Sequence, residues 1–222
     1  MALATYKDLC IDATDPAVLG RFWGDALGLD LEPSDNGAVL LGPTDGHRIW
    51  INKVPESKTV KHRVHIDVNA LSVDEIDRLG ANVVDEENFP WTVMADPEGG
   101  ELCVFDREDE IKQRLYEVVV DSGPDPHAIA AWWADLVGGR LEDSERGFSY
   151  VEDIPNAPFE CLVFIPVPEP KTAKNRIHLD VTTPDLDAVV AAGASLRRRQ
   201  DDEISWNVLA DPEGNEFCAF VT

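Results

Sequence analysis

The 222-residue chain has few cysteines, few basic residues and no long apolar run, and each scarcity removes a class of protein. Its four cysteines, at positions 10, 103, 161 and 218, never form a CxxC pair. That excludes a zinc ribbon, a thioredoxin-type motif and a disulfide-stapled secreted scaffold. No stretch approaches the ~18 apolar residues of a membrane span, and Met1 to Thr14 has no basic segment leading into an apolar one. A soluble, cytoplasmic protein with reduced thiols is expected. Lys and Arg number 19 against 43 Asp and Glu, a formal charge of -24 spread over both halves. Such a field repels nucleic acid and anionic membranes and steers cationic ligands inward, although a solvated acidic surface accounts for most of it. The one basic run, Arg197-Arg198-Arg199, is flanked by Gln200-Asp201-Asp202-Glu203. Glycine-rich phosphate loops that open a helix are absent, as are serine nucleophile elbows.

What the chain does have is a repeat. Lys61-His62-Arg63-Val64-His65-Ile66-Asp67-Val68 returns as Lys174-Asn175-Arg176-Ile177-His178-Leu179-Asp180-Val181. Each copy is followed by a second shared motif, Asp96-Pro97-Glu98-Gly99-Gly100-Glu101-Leu102-Cys103 and Asp211-Pro212-Glu213-Gly214-Asn215-Glu216-Phe217-Cys218. One unit of about 110 residues is written twice. This divides the chain into domains at 1–106 and 115–222, joined by a charged, solvated linker at 107–114.

Each half opens with an alternating strand, Tyr6 to Ala13 and Tyr116 to Asp121, that runs into Asp15-Pro16 or Asp125-Pro126, an N-cap and first-turn pair. Leu19, Phe22, Trp23, Ala26 and Leu27 then share one helical face, and Ile129, Trp132, Trp133, Leu136 and Val137 repeat it. These aromatics read as core. Three short strands follow in each half, and a second β-α-β-β-β unit begins at each repeated octapeptide. Its helix starts at the Ser72/Glu75 capping box in the first half and at Thr183-Pro184 in the second. The fold class is α+β, with four βαβββ modules.

Paired modules, a DP-initiated helix ending in Leu-Gly or Val-Gly, and a closing DPEGG or DPEGN segment resemble the glyoxalase-like domain of the glyoxalase/bleomycin-resistance/dioxygenase, or vicinal-oxygen-chelate, superfamily. The resemblance implies tandem domains whose curved mixed sheets enclose clefts. It also implies a divalent ion in metal-using members, held by the first strand, the start of the fifth and the eighth. Two functions follow from it: sequestration of a small organic molecule, or metal-dependent lyase or isomerase chemistry on a carbonyl compound.

At the implied ligand positions the histidine persists as His65 and His178, and strand alternation turns Asp67 and Asp180 toward the same cleft. The eighth-strand carboxylate is replaced by Cys103 and Cys218, and the first-strand position holds Asp8 or Glu117. The expected constellations are Asp8, His65 and Cys103 in one half and Glu117, His178 and Cys218 in the other. Zinc accepts carboxylate, imidazole and thiolate together, whereas harder ions match the sulfur poorly, so zinc is preferred if any divalent metal binds. A thiol facing imidazole also offers a nucleophilic pair, against the plainer reading of the cysteines as buried fillers. Glu101 and Glu216, two residues before each cysteine, could restore an oxygen ligand. Trp91 and Trp206 line an aromatic pocket or pack in the core. His47, His62 and His127 lack repeated partners and are expected at the surface. The chain is expected as a monomer with an internal pseudo-dimer, or as a homodimer.

Overall fold

The computed structural model describes residues 2–107 and 111–222. Module one comprises β1 (Thr5–Ala13), α1 (Pro16–Leu27), β2 (Asp30–Ser34), β3 (Gly37–Leu41) and β4 (Ile49–Lys53). Module two comprises β5 (Val64–Ala70), α2 (Val73–Asp77), β6 (Asn82–Asp85), β7 (Thr92–Ala95) and β8 (Glu101–Asp106). Module three contains β9 (Leu115–Ser122), α3 (Pro126–Val137), β10 (Arg140–Asp143), β11 (Ser149–Glu152) and β12 (Cys161–Pro166). Module four contains β13 (Ile177–Thr183), α4 (Leu186–Ala191), β14 (Ser195–Arg198), β15 (Asn207–Ala210) and β16 (Glu216–Val221).

Local chemistry sets these elements. Asp15 accepts hydrogen bonds from the backbone N–H groups of Ala17 and Val18, Pro16 presets the first turn of α1, and Gly28 ends it at φ 68°, in the left-handed region. Asp125 and Gly138 do the same for α3. Ser72 caps α2 as expected, with Glu75 N–H donating to Ser72 Oγ, while the return bond to Glu75 Oε2 comes from Leu71 N–H rather than from the Ser72 N–H of a reciprocal box. α4 starts later than the Thr183-Pro184 expectation. Thr183 is taken up by β13, where its hydroxyl donates to the Leu3 carbonyl, and Asp185 caps the helix instead.

The modules combine across the repeat. One eight-stranded sheet runs β14-β15-β16-β13-β1-β4-β3-β2, and the other runs β10-β11-β12-β9-β5-β8-β7-β6. Each sheet thus takes one module from each half. They join through the antiparallel pairs β1–β13, where Cys10 faces His178, and β5–β9, where Val119 faces His65. Neither sheet closes into a barrel. The apolar residues of α1 lie over β3 and β4 and reach β5 of the other sheet, while α3 covers β11 and β12 and reaches β1. Phe22, Trp23, Phe164 and Phe217 are fully buried, so the expected core face of α1 is core. Trp132 is only partly so, and its indole N–H donates to the Ala192 carbonyl.

The basic residues of the octapeptide interlock the halves. Lys174 pairs with Asp12 and Lys61 with Asp121, both at 2.5 Å. Arg176 donates to the Glu56 carbonyl and to Glu98, and Arg63 donates to the Glu169 and Asp121 carbonyls. Of the charged linker expected at 107–114, residues 108–110 lie outside the described residues. Its flanks are anchored, in contrast to the solvated reading: Arg107 Nε donates to Asn69 Oδ1 at 2.7 Å, and Arg114 pairs with Glu75 at 2.6 Å. No helix among the described residues is long and apolar enough to cross a membrane.

Candidate functional site

Because each sheet is assembled from both halves, the candidate residues regroup. Asp8 on β1 lies beside Asp180 on β13, and Asp180 beside Cys218 on β16. Glu117 on β9 lies beside Asp67 on β5, and Asp67 beside Cys103 on β8. The expected sets of Asp8 with His65 and Cys103, and of Glu117 with His178 and Cys218, are therefore corrected. The first-strand residue of each half serves the histidine and cysteine of the other half, because the hydrogen-bonded strand joint is β1–β13 and β5–β9.

In the sheet that contains β1 and β13, the polar floor is close-packed. Cys218 Sγ lies 3.4 Å from His178 Nε2, and Asp180 Oδ1 lies 3.4 Å from the same nitrogen. Cys10 Sγ donates to Asp180 Oδ2 at 3.5 Å. His178 Nδ1 and Asp180 Oδ1 are buried without hydrogen-bond partners. Burial disfavours the charged imidazolium, but the neighbouring Asp180 carboxylate outweighs it and holds the His178 pKa above its ordinary value. Asp8 is fully buried and raised to about 6 by burial and by Asp180. Its Oδ2 accepts from Lys7 Nζ at 2.6 Å and Trp50 Nε1 at 3.1 Å.

The sheet that contains β5 and β9 repeats part of this floor. His65 Nε2 lies 3.3 Å from Asp67 Oδ1 and 3.5 Å from Cys103 Sγ. The residue opposite His65 is Val119, where the other sheet has Cys10. Burial, with Asp67 and Glu160 adding to it, raises Glu117 to about 7.

The nucleophilic thiolate pair does not form. Burial pushes the Cys10 thiol up to about 12 and raises Cys103 and Cys218 as well, so the thiols stay protonated at neutral pH. Glu101 and Glu216 do not restore an oxygen ligand. Glu101 accepts from Lys58 Nζ at 2.7 Å and the His62 N–H at 3.0 Å, and Glu216 accepts from Lys171 Nζ at 2.9 Å and the Asn175 N–H at 3.1 Å. Both carboxylates pin the segment that leads into the octapeptide.

Above the first floor opens a cleft of about 640 Å³, with Trp50, Trp206, Phe220 and Val39 among its walls and His178 and Asp180 at its base. Trp206 and Phe220 are tilted against each other at 6.0 Å. The matching aromatics of the second sheet are covered by their own neighbours. Phe89 stacks on Trp91 and Trp91 on Phe105, each at 5.3 Å, and Arg107 lies over Phe105 and Tyr116. The two tryptophans that the repeat makes equivalent thus end in different surroundings, Trp206 on an open cleft and Trp91 inside a stack.

Cys10 and Trp50 were not among the sequence candidates. Alternation from Asp8 would have placed Cys10 on the cleft face, and alternation from Asn52 would have placed Trp50 there. Of the histidines expected at the surface, His127 is exposed and paired with Asp143, and His47 is half-buried against Thr44. His62 is buried, with neither ring nitrogen bonded, because the absent side chain of Gly100 leaves room for its ring.

The divalent ion implied by the family resemblance does not fit the residues at the family's positions. Asp8 gives its Oδ2 to Lys7 and Trp50, leaving only a buried, unpartnered Oδ1, and the eighth-strand oxygen donor is now a thiol. The donors that converge among the described residues are Cys10, His178 and Asp180 in one sheet and His65, Asp67 and Cys103 in the other.

Comparison with known proteins agrees with this architecture. The family model described as a glyoxalase-like domain matches residues 8–105 and again 117–220. Glyoxalase I from Zea mays is similar in structure, with a TM-score of 0.69 at 14% identity over 98% of this chain and 92% of that one. A putative dioxygenase from Bacillus subtilis gives 0.66 at 13% identity over 98% and 85%. The cppA protein from Streptococcus pneumoniae gives 0.50 at 10% identity over 99% and 100%. At these identities the likeness is one of fold. No curated protein sequence matches the chain significantly. With the family's model satisfied twice and its paired-module sheets present twice, the chain belongs to the glyoxalase-like domain family.

Proposed function

We propose that this protein binds a small organic molecule in the cleft of the β1–β13 sheet and sequesters it without chemistry. The observation that carries this reading is the open, aromatic-walled cleft of about 640 Å³, a size suited to a small ligand. Trp206 offers a flat apolar face, Lys7 Nζ lies 4.3 Å over Phe220 and the Arg48 guanidinium 6.0 Å over Trp50, and Asp180 at the base pairs with His178 but has no Lys or Arg within ion-pair distance among the described residues. Aromatic faces over an acidic floor favour a planar, positively charged guest. The acidic surface would also speed its arrival.

Lyase or isomerase chemistry on a carbonyl compound is the second reading, supported by family membership alone. It has less to rest on, because neither sheet keeps the oxygen-rich ligand set of the family positions, and the protonated thiols are poor nucleophiles.

The test is a tryptophan-fluorescence titration with a planar aromatic cation, aminoacridine, against an anion of similar shape, anthracene carboxylate. The cation is expected to bind at one site per chain and to lose at least ~10-fold in affinity in Trp206→Ala, a cost of about 1.4 kcal/mol, with no loss in Trp91→Ala. Equal affinity for the anion, or equal losses in the two variants, would overturn the assignment.

A further inference from the structure

We infer that a second cavity, at the joint between the two halves, binds a small, multiply charged oxyanion, with Arg63 as its anchor. This cavity encloses about 660 Å³ and is lined by the segment 56–63 and most of 169–176, together with Asp12 and Asp121. That volume is enough for a small organic molecule. Only Asp12 and Lys174 also line the cleft of the β1–β13 sheet, so the two cavities are separate sites that share one wall.

The whole chain has 19 basic residues against 43 acidic ones, and this lining reverses the balance. Lys58, Lys61, Arg63, Lys174 and Arg176 stand there against the carboxylates of Asp12, Glu56, Asp121 and Glu169. Four of the five cations are the lysines and arginines of the repeated octapeptide, which the crossing of the halves brings to one place. Glu56 and Glu169 oppose an anion, but both are exposed and their charge is screened by solvent.

Arg63 is the cation left without a counter-charge. Lys61 pairs with Asp121, Lys174 with Asp12, Lys58 with Glu101, and Arg176 with Glu98 at 3.1 Å. Arg63 donates only to the carbonyls of Glu169 and Asp121, with no carboxylate in ion-pair distance among the described residues. Glu213, the repeat counterpart of Glu98, accepts from the Gly123 N–H at 2.9 Å instead. Arg63 Nε is also buried without a hydrogen-bond partner. A half-buried guanidinium in this condition is costly, and an oxyanion in the cavity supplies the missing charge. Lys61 and Lys174 flank it with side chains 60% and 53% exposed, and each ammonium keeps N–H groups beyond the one given to its aspartate. Three such cations suit an anion of two or more charges better than a single carboxylate.

Calorimetric titration of the full-length chain, with the cleft empty of any organic ligand, tests this site independently of what the cleft binds. Inorganic pyrophosphate and succinate, at matched ionic strength, are the phosphate and carboxylate probes. At least one of them is expected to bind at one site per chain with a dissociation constant below ~1 mM. A protein of formal charge -24 has no general attraction for anions, so saturable binding reports the local site. Arg63→Gln is expected to weaken binding at least ~10-fold, and Thr59→Glu, which sets a negative charge on an exposed part of the lining, by a similar factor. Val84→Glu adds the same charge at the β6 edge, outside the lining, and is expected to change the affinity less than ~2-fold. Binding by neither probe, equal losses in Thr59→Glu and Val84→Glu, or unchanged affinity in Arg63→Gln would overturn the proposal. If Arg63→Gln does not fold, the comparison of the two glutamate variants decides.

Discussion

Lys174 Nζ meets Asp12 Oδ2 at 2.5 Å although 162 residues separate them, and Lys61 meets Asp121 at the same distance in the lining of the same cavity. In both pairs the carboxylate is buried and the lysine half exposed, so losing the lysine strands an acid that water reaches poorly. Lys174→Met or Lys61→Met is expected to lower stability by about 1–2 kcal/mol, discounted for the exposure of the lysine. Lys174→Met combined with Asp12→Asn should cost less than the two singles added. Urea unfolding of the four chains measures the coupling, and additive losses would show that the pair contributes nothing of its own.

His62 and Gly100 form a matched exchange with Asn175 and Asn215. In the second half Asn175 Nδ2 donates to Asn215 Oδ1 at 3.0 Å. In the first half the His62 ring occupies that space, and a Cβ on residue 100 would stand 2.8 Å from His62 Cε1 and 2.6 Å from Asp96 Oδ2. Gly100→Asn alone is expected to destabilise by about 1–3 kcal/mol through overpacking. Adding His62→Asn should recover at least about 1 kcal/mol by recreating the amide bond of the other half. Thermal unfolding of the singles and the double decides, and a double no better than Gly100→Asn would disprove the exchange.

His62 and Glu117 tilt the pH dependence of stability in opposite directions. Burial lowers the folded pKa of His62 from 6.5 to about 4, against the pull of Glu101 and with Lys58 and Arg176 adding to it. Between those values the unfolded chain binds a proton that the folded chain refuses, so stability falls as pH drops from about 6.5 toward 4. Burial, Asp67 and Glu160 raise the folded pKa of Glu117 from 4.5 to about 7. Here the folded chain holds the extra proton, and stability falls as pH rises from about 4.5 to 7. Glu117→Gln is expected to stabilise the protein at pH 8, by up to about 3 kcal/mol, and to change little at pH 4. Unfolding midpoints at the two pH values measure this, and equal shifts at both would rule out titration as the cause.

The modules were legible because helix starts and strand alternation are local. Asp15-Pro16, the Ser72/Glu75 box and Val64-Ile66-Val68 each declare their element from a few neighbouring residues. Which modules share a sheet was not legible, since the repeat is satisfied equally whether β1 joins β5 or β13. That choice decides whether Asp8 serves His65 or His178. The burial of His62 was hidden for a related reason, since it depends on the missing side chain of Gly100, 38 residues away. Trp91 and Trp206 occupy equivalent places in the repeat, and their surroundings differ through a sequence neighbour, Phe89 where the second half has Ile204, and through Arg107, which lies over Phe105 and Tyr116 beside Trp91.

The crossing of the two halves makes each of them an incomplete object. A chain ending after β8 would carry β1 and β5 with their antiparallel partners missing, two central strands exposed as edges. Two such fragments can cover each other by pairing β1 of one with β5 of the other, which is the arrangement that the full chain achieves with itself. Separately expressed halves should therefore find one another in solution, and the covalent connection between them sets the stoichiometry of a partnership whose specificity resides in the strands.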